Sequence, residues 1–286
     1  MDRRVIEMNC TTCDSPLLDD VDEATVDFYR AVLQTLTRRR LPFLVGGAFA
    51  FNCWTGVQRP TRDLDLFVRR DDFEAIAQAL RDAGHEVELT FPHWLGKVRA
   101  GDEYIDLIFS SGNGIAVVDD EWFDHAGDAT VFEVDVRISP VEEMIWSKAF
   151  IMERERYDGA DVAHLLHAHA ARMDWERLLR RFGPHWRVLL SHLVLFGFIY
   201  PAERHRVPAD VVERLLGRLQ GELHAPAPVE RLCGGTLLSR EQYLGDVEQQ
   251  GYQDGRVAPF GNMTEEEVAL WTEAIPERPS AAAEGA

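Results

Sequence analysis

Residues 63–68 read Asp-Leu-Asp-Leu-Phe-Val, and this alternation of carboxylate with leucine constrains the fold more than any other stretch of the chain. A period of two belongs to a β-strand, which sends Asp63 and Asp65 to one face and Leu64 and Leu66 to the other. The two aspartates then sit roughly 6–7 Å apart from Cα to Cα, close enough to bridge metal ions. The apolar neighbours imply a central, partly buried strand, where two like charges repel strongly unless a cation lies between them. The competing reading is a solvated edge strand of alternating charge, which fits the flanking leucines and Phe67 poorly.

Around this strand the pattern is mixed. Residues 22–40 place Val26, Phe28, Tyr29, Val32, Leu33 and Leu36 at helical spacing and end on Arg38, Arg39 and Arg40, a basic close that suits a helix C-terminus. Residues 41–47 form a short apolar run closed by Gly46 and Gly47, and 48–54 read as a helix, so a strand, a tight turn and a helix are expected. Asp71 can cap a helix carrying Phe73, Ile76, Ala77 and Leu80 that stops at Gly84. Further strands are expected at 87–91, 95–99, 104–109 and 131–138. Beyond Pro140 the periodicity turns helical, at 141–155, 159–170, 175–182, 186–199 and 209–223, and no strand-like alternation returns. The fold class is therefore α+β, a mixed sheet flanked by helices with a C-terminal helical domain. The expected division is 1–40 as N-terminal segment and lead-in helix, 41–139 as catalytic domain, 140–274 as helical domain and 275–286 as a disordered tail.

Charge and targeting signals narrow the function classes. With 49 acidic and 30 basic residues the chain carries a net charge of −19, a field that disfavours broad binding to polyanions. A local basic groove from Arg38, Arg39, Arg40, Arg69 and Arg70 would be the exception. Only Lys97 and Lys148 among the basic residues are lysines, which hints that a compact ammonium is wanted at those positions. The apolar stretch 188–200 is too short to span a bilayer and is interrupted by Ser191 and His192, and the charged N-terminus lacks a secretory signal, so a cytoplasmic protein is expected. Cys10 and Cys13 form a C-x-x-C pair with no second ligand pair at zinc spacing, and all four cysteines read as ordinary reduced thiols.

Asp106 is a lone carboxylate inside Tyr104-Ile105-Asp106-Leu107-Ile108, and buried carboxylates are rare without a partner. Beside the Asp63/Asp65 strand it would complete an oxygen-rich cluster of the kind Mg²⁺ accepts. Asp135 is the competitor, but Glu133 beside it marks a strand whose acids face water. Gly46 and Gly47 let a backbone approach phosphate at a helix N-terminus, although Gly-Gly is also an ordinary turn.

The stretches Leu44-Val45-Gly46-Gly47, Arg59-Pro60-Thr61-Arg62-Asp63-Leu64-Asp65-Leu66 and Ile105-Asp106-Leu107 resemble the signature of the polymerase β-like nucleotidyltransferase superfamily. The resemblance covers about 41–161, with a spacer after Gly47 somewhat longer than the usual pattern. Residues 139–148 resemble the helical extension of small bacterial members, which include antibiotic and toxin-antitoxin nucleotidyltransferases. The resemblance implies transfer of a nucleoside monophosphate from a nucleoside triphosphate such as ATP, with pyrophosphate leaving. It implies Mg²⁺ or Mn²⁺ on Asp63, Asp65 and Asp106, with Asp106 as general base, and nucleotide contacts from Gly46, Gly47, Arg62 and Lys148. For Lys148 a solvated lysine on an amphipathic helix stays an equal alternative. Arg154, Arg156, Asp158 and Asp161 read as a salt-bridged helix junction, and His164, His167 and His169 as structural. A small-molecule or protein acceptor is favoured over RNA on charge. The alternatives are an RNA 3′-end transferase or a nucleotide-binding regulator without turnover.

Overall fold

The computed structural model describes residues 22–58 and 61–275. Cys10, Cys13, the Arg59-Pro60 pair and nearly all of the expected tail lie outside the described residues. Helix α1 (Glu23–Arg39) starts where the Asp22 side chain accepts from the Thr25 N–H at 2.7 Å, and stops where Arg40 turns left-handed at φ 55°. Its Val32, Leu33 and Leu36 are wholly buried, as their spacing demands.

Seven strands form one mixed sheet: β1 (Leu44–Val45), β2 (Leu64–Phe67), β3 (Glu86–Phe91), β4 (Leu95–Ala100), β5 (Glu103–Ile108), β6 (Gly127–Val131) and β7 (Val134–Ile138). Their order is β3-β4-β5-β2-β1-β7-β6. The sheet places β2 at its centre, antiparallel to β1 and parallel to β5. Leu64, Leu66, Ile105 and Leu107 have no exposed surface. The hydrophobic halves of β2 and β5 thus hold the sheet to its core, while their acidic residues face the other way. Helices α2 (Gly47–Thr55), α3 (Phe73–Asp82) and α4 (Asp120–Asp124) complete this half.

Several details depart from the sequence reading. The single strand expected at 131–138 is a hairpin, β6 and β7, turned by Phe132 and Glu133 at φ 49° and 63°. Neither is a turn residue. The Phe132 ring is 4% exposed and packs against Tyr29 and Phe49, so tertiary burial overrides local preference. Asp71 caps nothing: residues Arg70–Asp72 form a 3-10 turn, Asp72 pairs with Arg69 at 2.6 Å, and α3 begins without a side-chain cap. Cys233 is a free thiol, but Cys53 is disulfide-bonded, against the expectation of reduced thiols. Sequence separation between cysteines does not say which come together in a fold.

The second half holds α5 (Val141–Ala149), α6 (Gly159–His169), α7 (Trp175–Phe182), α8 (Trp186–Ile199), α9 (Ala209–Leu223), α10 (Leu244–Glu248) and α11 (Glu265–Glu273). Helix α5 ends six residues sooner than expected. The chain from 151 to 158 folds back on itself, with Asp158 N–H donating to Ile151 O at 3.1 Å and Glu153 N–H to Arg156 O at 2.8 Å. Two short parallel strands, β8 (Leu232–Cys233) and β9 (Gln253–Asp254), also stand where only helix was expected. Buried charges fix α5 in place. Arg177 of α7 pairs with Glu142, and Arg181 reaches Glu143 at 3.1 Å and Asp119 at 2.5 Å. One contiguous hydrophobic core runs from the sheet into these helices. The C-terminal segment returns to the sheet edge, where Trp271 packs on Phe91 and Trp94 with ring centroids 4.9 and 5.1 Å apart. No helix among the described residues is long and apolar enough to cross a membrane.

Candidate functional site

Strand register brings the first carboxylates together. Asp65 on β2 is the direct cross-strand partner of Asp106 on β5, so both project from one face of adjacent parallel strands. Asp63, two residues before Asp65, shares that face and is more exposed. Asp135 lies on β7, beyond β1 on the opposite side of β2, where it is exposed and accepts from Thr130 Oγ1 at 3.0 Å.

The turn before α2 is shaped around Asp65. The Gly46 N–H donates to Asp65 O at 2.9 Å. A Cβ on Gly46 would stand 2.2 Å from the Phe67 ring, and one on Gly47 would stand 1.8 Å from Asp65 Oδ2. Gly47 also has φ +54°, a conformation that glycine adopts without the steric cost a Cβ brings. The carboxylate therefore packs against the N-terminus of α2 in space that only glycine leaves open. Burial first, and then the charges of Asp106 and Asp63, push the Asp65 carboxyl up to about 7, against the opposing pull of Lys148 and Arg156. Asp106 is also raised, by burial above all, although a hydrogen bond from Lys97 works against the shift.

These three aspartates line a cavity of about 920 Å³ between the sheet and the second half of the chain. Gly47, Lys148 and Arg156 line it too, whereas Gly46 and Arg62 do not. Arg62 is exposed, and its carbonyl accepts from the Tyr29 hydroxyl. Lys148 is engaged by two carboxylates, Asp161 at 2.8 Å and Asp158 at 3.1 Å, and Arg156 grips Asp158 through two further bonds at 2.9 and 3.0 Å. The salt-bridged junction read from sequence is present for Arg156, Asp158 and Asp161, whereas Arg154 is exposed and reaches only Glu155, at 4.0 Å. Sequence reasoning did not show that it forms a wall of the cavity, nor that Lys97 reaches Asp106. The scarcity of lysine was the one signal for the latter.

Burial alone would raise the Asp158 carboxyl, but the hydrogen bond from Arg156 and the charges of Lys148 and Arg156 outweigh it and hold the group below its ordinary value. The stability this adds is in place above about pH 4 and is lost as pH falls through the lowered value. Asp158→Asn should therefore lower Tm near neutrality by about 3–6 °C and flatten the acid limb of a Tm-against-pH curve. An acid limb as steep as the parent's would contradict this account of the cluster.

Among the described residues no group of three His, Cys, Asp or Glu stands close enough together to hold an ion. Asp106 is drawn to Lys97 at 2.8 Å and Asp63 lies toward solvent. The donor set still fits a hard divalent cation, since it is all oxygen and Asp65 carries a repulsion that such a cation would relieve.

The family model aminoglycoside-2″-adenylyltransferase matches residues 29–143. The α/β half is thus similar to a family of nucleotidyltransferases. The match spans the sheet and ends inside α5, so most of the helical half lies outside it. Solved structures similar to the chain include a lincosamide antibiotic adenylyltransferase, LnuA, bound to lincomycin. It is 17% identical, with 52% of this chain and 99% of that one covered and a TM-score of 0.36. ANT(2″)-Ia in complex with adenylyl-2″-tobramycin is 17% identical over 62% of this chain and 99% of its own, with a TM-score of 0.39. An antigenic nucleotidyltransferase-like protein from Paracoccidioides brasiliensis is 13% identical over 64% and 92%, with a TM-score of 0.40. All three likenesses are loose. No curated protein matches the chain. Within the matched segment, the row of aspartates on β2 and β5 is the feature around which chemistry can be organised.

Proposed function

We propose that the protein transfers a nucleoside monophosphate, in the first instance from ATP, to a hydroxyl of a small cationic acceptor, releasing pyrophosphate. The observation that carries this reading is the register of Asp65 with Asp106 at a large cavity beside the glycine turn of α2. Displacement at the α-phosphorus asks for positioning and charge stabilisation more than for covalent chemistry. Asp63 and Asp65, with Asp106, would hold Mg²⁺ or Mn²⁺, which would supply charge stabilisation on the phosphate oxygens when bound. Asp106 takes the proton of the acceptor hydroxyl as general base. Lys148 and Arg156 face the triphosphate from the far wall, and the α2 N-terminus offers backbone N–H groups to it.

The acceptor class follows from charge. The net charge of −19 and the acidic groups at the cavity, among them Glu153 and Glu155, favour a polycationic small molecule over RNA. The name of the matched family agrees with that choice. Two of the five basic residues expected to offer a groove are engaged by acids: Arg39 pairs with Asp82 and Arg69 with Asp72 and Asp120. The test is incubation with each labelled triphosphate, Mg²⁺ and lysate, followed by separation of protein, RNA and small molecules, beside assays on purified aminoglycoside-like and polyamine-like acceptors. Label from ATP is expected in the small-molecule fraction. Label on RNA 3′ ends would replace the acceptor assignment, and nucleotide binding without pyrophosphate release would make the protein a regulator.

A further inference from the structure

Lys97, Asp106 and Asp65 stand in one row across three adjacent strands. Asp65 on β2 pairs in register with Asp106 on β5, and Asp106 with Lys97 on β4. All three therefore project from the same face of the sheet. The Lys97 ammonium lies 2.8 Å from Asp106 Oδ1, with the two side chains 17% and 18% exposed. It also sits 3.5 Å from the centroid of the Tyr104 ring, which precedes Asp106 by two residues and so shares its face. A hydrogen bond to a carboxylate and an aromatic ring together hold the cation in one place, with little water to loosen it. A compact ammonium acts as a point charge, which the flat guanidinium of arginine does not reproduce. In a chain with only two lysines, one of them is built into the carboxylate row.

We propose that Lys97 is the resident cation of the acceptor-side carboxylate, so that the site takes one divalent ion, on Asp63 and Asp65, rather than two. The proposal rests on the nucleotidyltransferase reading above and narrows its metal ligands from Asp63, Asp65 and Asp106 to Asp63 and Asp65, leaving Asp106 as the base. Three aspartates bring three negative charges; Lys97 balances one, and a single divalent ion balances the rest. A second divalent ion at Asp106 would have to approach an ammonium already bonded to that carboxylate, and like charges so close repel strongly where water is scarce. With Oδ1 held by Lys97, Asp106 keeps Oδ2 for the acceptor hydroxyl. Lys97 is thus a positioning residue that acts through Asp106.

The experiment is a Mn²⁺ titration of the full chain in the presence of a non-hydrolysable ATP analogue, with bound ion counted by paramagnetic resonance and calorimetry. One ion per chain is expected for the parent, and a second, weaker ion is expected to appear in Lys97→Met and in Lys97→Gln. A merely structural lysine would not change the count. Two ions on the parent chain would overturn the proposal, as would a folded Lys97→Met or Lys97→Gln that still takes one. If the parent binds no ion with nucleotide, the nucleotidyltransferase reading itself falls and this proposal with it, whereas a count of two removes the proposal alone.

Discussion

Asp65→Asn is expected to lower transfer by about a thousandfold or more, the scale of removing a preorganised charged group, while making the metal-free protein more heat-stable. Both effects come from one carboxylate. Asp65 is confined between the α2 N-terminus and Asp106, and its carboxyl is pushed up to about 7 by burial and by its acidic neighbours. The folded chain thus holds this proton more tightly than the unfolded chain does. The stability linked to it is complete below about pH 4 and is lost as pH rises through 7, when the buried group ionises without a cation. Asparagine keeps the shape and never ionises. The stabilities of parent and variant without metal, followed against pH, should coincide near pH 4 and separate upward, by about 1–3 kcal/mol at pH 8. Added Mg²⁺ with nucleotide should close the gap by stabilising the parent alone. A variant with activity within tenfold of the parent would remove Asp65 from the site, and parallel Tm curves would remove the electrostatic account of its burial.

What the sequence reveals of this site is its local part. Alternation in residues 63–68 is enough to put Asp63 and Asp65 on one face, and an isolated acid among apolar residues is enough to mark Asp106, since both follow from period and burial. The pairing of β4 with β5 is a non-local event, so the arrival of Lys97 at Asp106 has no local pattern to announce it; only the rarity of lysine hinted at it. The same limit explains the hairpin at Phe132 and Glu133, where the ring contacts with Tyr29 and Phe49 come from residues far away in the chain. Helix α5 is a third case. Its helical period runs on past Ala149 in the sequence, but ion pairs between Lys148, Arg156, Asp158 and Asp161 offer the chain a better place as a folded-back loop. In the segment from β8 to α11, Trp271 packs on the sheet edge against Phe91 and Trp94, contacts with residues far away in the chain that no local period announces.

Gly47→Ala should be the most damaging change that leaves every charged group in place. Two separate costs meet at that position. The residue sits at φ +54°, where a Cβ crowds the backbone at a cost of about 1–2 kcal/mol. The same Cβ would stand 1.8 Å from Asp65 Oδ2 and 2.8 Å from its Cγ, so either the carboxylate turns away from Asp106 or the start of α2 shifts. Gly56 separates the two costs. It has φ +69° with nothing within 4 Å of the added Cβ, so Gly56→Ala carries strain alone. Both variants are therefore expected to lose about 1–2 kcal/mol of stability, with Gly47→Ala losing somewhat more. Transfer should fall by roughly a hundredfold in Gly47→Ala, since an ångström of misplacement at reacting groups costs on that order, and stay near the parent value in Gly56→Ala. Thermal melts and kcat/KM on the two proteins side by side make the comparison. Equal activity in both would mean that the glycine serves the turn alone and that Asp65 tolerates displacement, which a carboxylate placed to hold a catalytic ion against a fixed strand neighbour cannot do.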